Sequence, residues 1–519
     1  MQFSKIEKYM FLLILLSAIV RGFIAGFIEF GNDEVYYWTY ALYPNWSHFD
    51  HPPMLGWVIQ IFTLNLFLDS EFFIRLGSVV FGSINTWLIF LIAKKIYNER
   101  AGFIASLLYT SSIYCFVIAG IFILPDTPQS LFWMLSIYLL TNVVSEENSF
   151  AKQKNFLLLA ALVLGFGMLS KYTTVFIWFG FGLYVLLYDR KWFKAWQLYA
   201  SVLISFILII PILYWNIQNE FISFTFHSER VDVSGSALHI DYFFRELLGQ
   251  IVYNNPITFV LTVIALIAFF KKKVKIKSEY ARFLLLTTFP LIILFLGFSL
   301  FRATLPHWTS PSYMTLLIFP SIYLAEKFPH KLFSWPLKGA LALLLTILIL
   351  GIWHINFGLF SIDNSLKEIN KGKKDFSLDM YGWSQLEDHI KSQFIEDKKK
   401  AIVDDIVLIS HKWFPAAHLD YYVARPLGMK LLTIGSLDQI HKYAWINEER
   451  GGFKLGMNAY FITTSHYYKN PDYLTEYFSE IQWHQKFPIY RSGKIVEYVS
   501  VYLLKDLKKI PNSIIKKDD

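Results

Sequence analysis

Apolar runs long enough to cross a bilayer recur along the first two thirds of the chain. They lie at about 9–29, 72–93, 101–122, 127–144, 156–170, 172–188, 198–215, 256–270, 283–301, 309–325 and 339–359. A helix needs about 20 residues to traverse the hydrocarbon core. Such runs leave too little polar surface for a water-soluble fold, so they predict a membrane all-α bundle of about 11 spans. Charge then separates two regions. Residues 1–364 hold 25 Lys/Arg and 20 Asp/Glu, whereas residues 365–519 hold 23 and 20, a density suited to water. The expected organisation is a transmembrane domain over 1–359 followed by a small soluble α/β domain over 360–519. In that tail Asp405–Ser410, Ala459–Thr464 and Val496–Leu504 read as strands, and Ser384–Phe394 reads as a helix.

The basic residues also orient the bundle. Segments 94–100, 189–197, 271–282 and 326–338 together hold fifteen Lys/Arg. Loop 30–71 holds none and carries Asp33, Glu34, Asp50, Asp69 and Glu71. By the positive-inside rule the basic loops and the N-terminus are cytoplasmic, and an odd span count puts 360–519 outside. The expected location is the inner (plasma) membrane, multi-pass, with a periplasmic or extracytoplasmic tail. Met1–Lys8 and the apolar run behind it read as a retained first span, since no small-residue cleavage pattern follows Gly22. A net charge of +8 is explained by loops facing anionic membrane lipids, without nucleic acid. The single cysteine, Cys115, excludes an intrachain disulfide and a cysteine-built zinc site, and reads as a small buried hydrophobe.

On that topology few basic residues fall near the outer face: Arg75, Lys171, Arg230, Arg245 and Arg302. Each needs a reason. An anionic ligand is one; snorkelling to the headgroups is the other, and it is favoured for Arg75 and Arg245. The first outer loop sets Asp33 beside Glu34 just beyond a span. Two adjacent carboxylates shielded from water cannot both ionise cheaply, so one can accept a proton from a hydroxyl nucleophile while the other orients it. The same pair also suits a plain solvated loop. Tyr36, Tyr37, Trp38, Tyr40, Tyr43 and Trp46 beside it suit an interfacial belt or a sugar-stacking wall. His51-Pro52-Pro53 opens Met54–Leu68, read as an interfacial helix that brings His51 to headgroup depth, as a phosphate contact or as a turn residue. Asp126, in Pro125-Asp126-Thr127-Pro128, is either a helix cap or a second functional carboxylate. Arg302 to Trp308 gathers a cation, His307 and an aromatic at one outer turn. No phosphate-cradling glycine loop, HExxH or nucleophile elbow is present.

Taken in order, NDEVYYW, HFDHPPMLGW, LPDTPQSLFW, LSKYTTVF, PILYWNIQNEFISFTF and LPHWTSPSY resemble the bacterial family-39-like glycosyltransferases. These are relatives of the protein O-mannosyltransferases and of the lipid A aminoarabinose and galacturonic acid transferases. The resemblance covers about residues 9–325; Tyr381-Gly382-Trp383 and Ile495–Leu504 in the tail are similar only in outline. It implies a glycosyltransferase C fold and a polyprenyl-phosphate-linked sugar as donor, with a lipid A-type lipid, glycan or protein as acceptor. By position, Asp33 matches the family's catalytic acid with Glu34 its neighbour. Asp126 matches a second carboxylate, and Lys171 a basic residue near the donor phosphate. The aminoarabinose branch has lysine where His51 stands, so His51 departs from it.

Physically, the leaving group would be a lipid phosphate whose charge needs preorganised donors in a water-poor site. Lys171 is the first candidate, followed by Arg302, Arg230, His51 and His307, with Tyr37 and Trp308 as further substrate contacts. The acceptor hydroxyl would attack from the opposite side and lose its proton to Asp33, with inversion. Asp33, Glu34 and Asp126 could hold a divalent cation, but no closed ligand set is visible, and no other cofactor is indicated. A transporter or flippase for a lipid-linked anion is the alternative, and it would need a pathway reaching the cytoplasmic face.

Overall fold

The computed structural model describes residues 3–233, 237–360, 367–399 and 407–512. The chain forms two compact units, Met1–Ala25 with Asn45–Ile347, and Gly26–Pro44 with Leu348–Asp519.

The first unit is helical. Among the described residues six helices are long and apolar enough to cross a membrane: Lys5–Phe27, Glu71–Ile96, Phe150–Ser170, Trp196–Gln218, Ser278–Phe298 and Trp335–Phe357. The first and last of these carry the chain from one unit into the other. Ile240–Tyr253 and Pro256–Phe270 make a seventh if the pair, bent by 99°, is one broken span. That break has a local cause. Pro256 cannot donate to the preceding turn, and Asn255, at φ +64°, accepts the Ile257 N–H at 3.1 Å. Asn255 Nδ2 then donates to the carbonyls of Ser111 and Ala340, both at 2.9 Å. Other apolar runs fold as shorter helices: Glu99–Ser111 gives way to a π-helical turn at Tyr114–Ile118, and 309–325 is divided between Ser310–Leu316 and Ile318–Lys327.

Helices approach closely where a side chain is missing. A Cβ on Gly180 would lie 2.4 Å from the Leu286 carbonyl, so helix Val175–Tyr188 meets Ser278–Phe298 backbone to backbone. Outward faces remain apolar, as at Leu15, Ile19 and Phe23, and lipid is the solvent that covers them. Cys115 is buried, as expected of a small hydrophobe. Arg75 does not snorkel. It is fully buried, and its Nη1 donates to the Ala25 carbonyl at 2.9 Å, which neighbouring helices make cheaper than reaching for headgroups. Of the stretch expected to be helical over Met54–Leu68, Met54–Phe62 forms a helix. It stops where Thr63 Oγ1 donates to the Ile59 carbonyl and accepts the Leu66 N–H.

The second unit holds a five-stranded sheet in the order β2-β1-β3-β5-β4. The strands are β1 Val407–Ser410, β2 Lys430–Thr433, β3 Ala459–Thr464, β4 Phe478–Arg491 and β5 Lys494–Leu507. β1 pairs in parallel with β2 and β3, and β5 runs antiparallel to β3 and β4. Parallel neighbours need crossover connections. Helices Trp413–Leu419 and Tyr443–Glu449 lie in these connections, and Ile409, Phe461 and Leu504 fill the core. The small α/β fold expected of the tail is thus present, with helix Gln385–Lys399 where Ser384–Phe394 was expected to be helical. Residues 405 and 406 of the first expected strand lie outside the described residues. Helix Asn32–Leu42, from the first loop, folds with this unit.

Candidate active site

Asp126 opens helix Asp126–Val144 immediately after the Leu124-Pro125 turn. Of the two readings open for it, capping fails, because the N-cap position falls to Pro125 and Asp126 is the first residue of the helix. Its oxygens go elsewhere. The Tyr114 hydroxyl, carried on the π-helical turn, donates to Oδ1 at 2.9 Å. Lys171 Nζ donates to Oδ2 at 2.8 Å. Lys171 reaches it because helix Phe150–Ser170 ends there, its backbone extended at φ −159° before the turn Tyr172–Thr174. The Lys171 N–H and Thr174 Oγ1 both donate to the Gly167 carbonyl, at 3.0 and 2.9 Å, and fix that stop. Gln129 Nε2 donates to Thr173 Oγ1 at 2.7 Å and ties the two segments together. Asp126 is 2% exposed and Lys171 7%. Neither charge is solvated, so each depends on the other.

Two histidines lie within the field of this pair, and a third beside them. Burial pushes the His51 pKa down to about 3, a fall that Asp50 offsets only in part. Burial likewise pushes His307, on the turn Pro306–Thr309, down to about 4 against the pull of Asp126. Both rings are neutral near pH 7, so each offers an N–H donor and not a positive charge. His227 places Nε2 2.9 Å from the Asp50 carbonyl oxygen, with its ring 6.3 Å from His51 and 5.5 Å from Tyr172. Burial lowers its pKa too. The Tyr253 ring stands 5.7 Å from His307. The remaining candidates of this unit are engaged at its surface. Arg230 is exposed, with its guanidinium 4.1 Å from the centre of the Phe226 ring. Arg302 is also exposed, and its Nε donates to the Asp232 carbonyl at 2.7 Å. Trp308 packs edge-on against Phe295.

In the second unit Asp33 is exposed in the first turn of helix Asn32–Leu42. Glu34 is buried, and its carboxylate accepts the Gly31 N–H at 3.1 Å, which closes the helix start. The tail grips this helix along its length. Before it, Glu29 accepts the backbone N–H groups of Trp383 and Ser384 at 2.9 and 3.1 Å. At its start, Asn32 Nδ2 donates to the Tyr467 hydroxyl at 3.1 Å, and Asn32 Oδ1 lies 3.0 Å from His418 Nε2. Tyr467 and His466 both bond Asp379, and His418 stacks on Trp383 with ring centres 4.1 Å apart. At its end, the buried ammonium of Lys442 donates to the carbonyls of Thr39 and Tyr43 at 2.8 and 2.7 Å. A cation at a helix C-terminus also complements the helix dipole. Tyr36 packs against Trp413 and Trp38 against Tyr421, while Tyr37 is buried against Tyr36 and Tyr40. Most of the aromatics read as a belt or sugar wall therefore bind this helix to the tail.

Sequence reasoning missed Glu29, Asn32, Tyr114, His227 and Lys442. Asn32 opens the NDEVYYW segment, Glu29 lies three positions before it, and His227 directly follows PILYWNIQNEFISFTF, so proximity to these segments was the available signal. Lys442 lies some 400 positions from the helix it caps and carries no local mark. Among the described residues no group of three or more His, Cys, Asp or Glu is arranged to hold a metal ion.

Residues 50–215 match the sequence profile of the dolichyl-phosphate-mannose-protein mannosyltransferase family. No curated protein sequence matches the chain. Among solved structures the fold is similar to ArnT from Cupriavidus metallidurans bound to undecaprenyl phosphate, at 14% identity and a TM-score of 0.62, over 94% of this chain and 97% of that one. The apo state of the same ArnT aligns at 15% identity and a TM-score of 0.58, over 98% and 99%. At such identity the likeness is one of fold, and the profile match supplies the family signal within it. Both agree with the resemblance carried by the ordered motifs: a mannosyltransferase profile match over 50–215, within a fold similar to that of ArnT.

Proposed function

We propose that this chain is an inverting glycosyltransferase that moves a sugar from a polyprenyl-phosphate donor to an extracytoplasmic acceptor hydroxyl. The observation that carries the reading is the buried Asp126–Lys171 pair with its Tyr114 donor, inside the segment that matches the mannosyltransferase profile. An ArnT of similar fold is described as bound to undecaprenyl phosphate, which supports a lipid phosphate as the donor's carrier. Lys171 uses one N–H on Asp126 and keeps two for phosphate oxygens. Asp126 serves as the orienting partner of that ammonium. His51 and His307, neutral, add N–H donors that stabilise the departing lipid phosphate without adding charge. Arg230 and Arg302 supply cations toward the donor from the surface, and Tyr37 and Trp308 supply aromatic contacts.

Asp33 takes the proton of the acceptor hydroxyl as that oxygen bonds to the anomeric carbon. The bond from that carbon to the phosphate oxygen breaks, and the electron pair leaves on the lipid phosphate. Glu34, by closing the helix start, fixes the backbone that carries Asp33. The acceptor is a lipid A-type lipid, a glycan or a protein. The bundle over 1–359 crosses the plasma membrane about 11 times, with the N-terminus cytoplasmic and the 360–519 tail outside.

A deletion strain of the source organism, examined by mass spectrometry of surface glycolipids and glycoproteins, tests this. One sugar modification should disappear, return with the wild-type gene and stay absent with Asp33→Asn at equal protein level in the membrane. Full restoration by Asp33→Asn removes Asp33 from the chemistry. If the lost species is instead an unreacted lipid-linked sugar on the outer leaflet, the chain is a flippase.

A further inference from the structure

At the end of the last apolar helix, Trp335–Phe357, the second unit contains a cavity of about 190 Å³. Three of its lining residues are cations, Lys371, Arg491 and Lys494, against one carboxylate, Asp375, so its wall is net positive by two charges. Arg491 is the fixed element. It is 5% exposed, with Nη2 on Asp375 and Nη1 on the Ser377 hydroxyl at 2.8 Å. Its Nε is buried and has no hydrogen-bond partner among the described residues. A buried guanidinium N–H left unmatched is costly, so an acceptor at this position would be stabilising. Gly358, at φ +68°, lies so close that a Cβ there would come within 2.9 Å of Nε. Any side chain at 358 would press on that donor.

The surroundings say what kind of acceptor fits. Helix Trp335–Phe357 is apolar and little buried within the protein, so its end marks the depth at which hydrocarbon gives way to headgroups. Phe357, Phe360 and Phe376, in and beside the cavity wall, are 56%, 58% and 70% exposed, as aromatics at a membrane boundary are. An anion held here with its tail among exposed phenyl rings is a lipid anion and not a free one.

We propose that this cavity binds the phosphate of an anionic membrane lipid, held by Arg491 Nε and by the ammonium groups of Lys371 and Lys494, in the leaflet where helix Trp335–Phe357 ends. The proposal is independent of the reaction assigned above. A basic residue near an anionic surface contributes about fivefold in affinity, so removing two should weaken lipid binding by about twenty-five-fold.

Native mass spectrometry of the full chain in neutral detergent reads this directly, with phosphatidylglycerol as probe and phosphatidylcholine of the same acyl chains as control. The wild type should retain phosphatidylglycerol in preference. The double variant Lys371→Gln/Lys494→Gln should lose about twenty-five-fold in that affinity while its phosphatidylcholine binding stays unchanged. Because Lys494 is exposed, Lys494→Gln alone, with a loss of about fivefold, tests the same site should the double variant not fold. Equal phosphatidylglycerol binding by wild type and variant overturns the site. Displacement of the lipid by an equal concentration of inorganic phosphate overturns its assignment to a lipid, and equal retention of phosphatidylcholine overturns its preference for anions.

Discussion

The two carboxylates given the leading roles, Asp126 and Asp33, sit in different surroundings. Asp126 is buried and gripped directly, with Lys171 on one oxygen and Tyr114 on the other. Asp33 is exposed, and the grip falls on the helix that carries it, through Glu29 before its start, Asn32 and Glu34 at its start and Lys442 at its end. The difference follows from surroundings. In an apolar bundle a buried carboxylate is costly without a partner, so at Asp126 function and stability are tied to the Lys171 contact. In the second unit the residues around helix Asn32–Leu42 fix the backbone from which Asp33 projects. Burial makes Asp126 intolerant of change, whereas exposure lets Asp33 be altered without unfolding.

The largest effect expected from this contrast is at Asp126. Asp126→Ala leaves the Lys171 ammonium buried without its partner, and should cost about 3–5 kcal/mol of thermal stability in detergent. Asp126→Leu combined with Lys171→Met removes both charges and should restore most of that stability while abolishing sugar transfer. Asp33→Asn should leave the melting transition within about 0.5 kcal/mol of wild type, as surface changes do. If Asp126→Ala melts like the wild type, the pair is not holding the bundle and the contrast fails.

The second effect is at the far end of the tail-held helix. Lys442→Met leaves the carbonyls of Thr39 and Tyr43 without their buried ammonium. Hydrogen bonds to charged groups contribute about 1.5–3 kcal/mol, so hydrogen exchange of the amides in 32–42 should rise by one to two orders of magnitude, an opening cost lower by about 2 kcal/mol. Transfer should fall with it, since Asp33 then moves with a frayed helix. Unchanged exchange over 32–42 would show that the tail does not set the geometry of Asp33.

These two cases also show what was legible in the sequence. The apolar runs, the break at Ser170-Lys171-Tyr172 and the strand Ala459–Thr464 were readable, because each is written in local hydropathy or residue type. The motif order pointed to the fold class for the same reason. The pairing of Asp126 with Tyr114 was not, because a tyrosine in an apolar run is indistinguishable from a packing residue until the π-helical turn sets its direction. Nor was the capture of Asn32–Leu42 by the tail, which joins residues about 400 positions apart. Arg75 misled for a related reason. Snorkelling is argued from a side chain's own length, whereas burial against the Ala25 carbonyl depends on a neighbouring helix.

The smallest effect separates the two environments by pH. In the tail, burial pushes Glu497 up to about 6, and burial lowers His466 less than its bonds to Asp379 and Gly372 and the nearby Glu497 and Asp379 charges together raise it. Both groups bind protons more tightly when folded. The Glu497 contribution is therefore complete below the ordinary glutamate value and is lost as pH rises through about 6, and that of His466 is lost above the ordinary histidine value. Asp379 runs the other way. Its bonds to His466 and Tyr467 outweigh burial and hold its pKa down, so its contribution is present above the ordinary aspartate value and lost only in stronger acid. The tail should thus be most stable in mild acid and lose about 2 kcal/mol between pH 4.5 and 6.5 from Glu497 alone. Melting of the full chain across that range checks it, with Glu497→Gln as the comparison that should flatten the slope. A wild-type slope that survives in Glu497→Gln would place the titrating group elsewhere in the molecule. A flat wild-type profile would mean that Glu497 is solvated as freely as any surface carboxylate, and that the tail achieves its grip on the 32–42 helix without a buried acid.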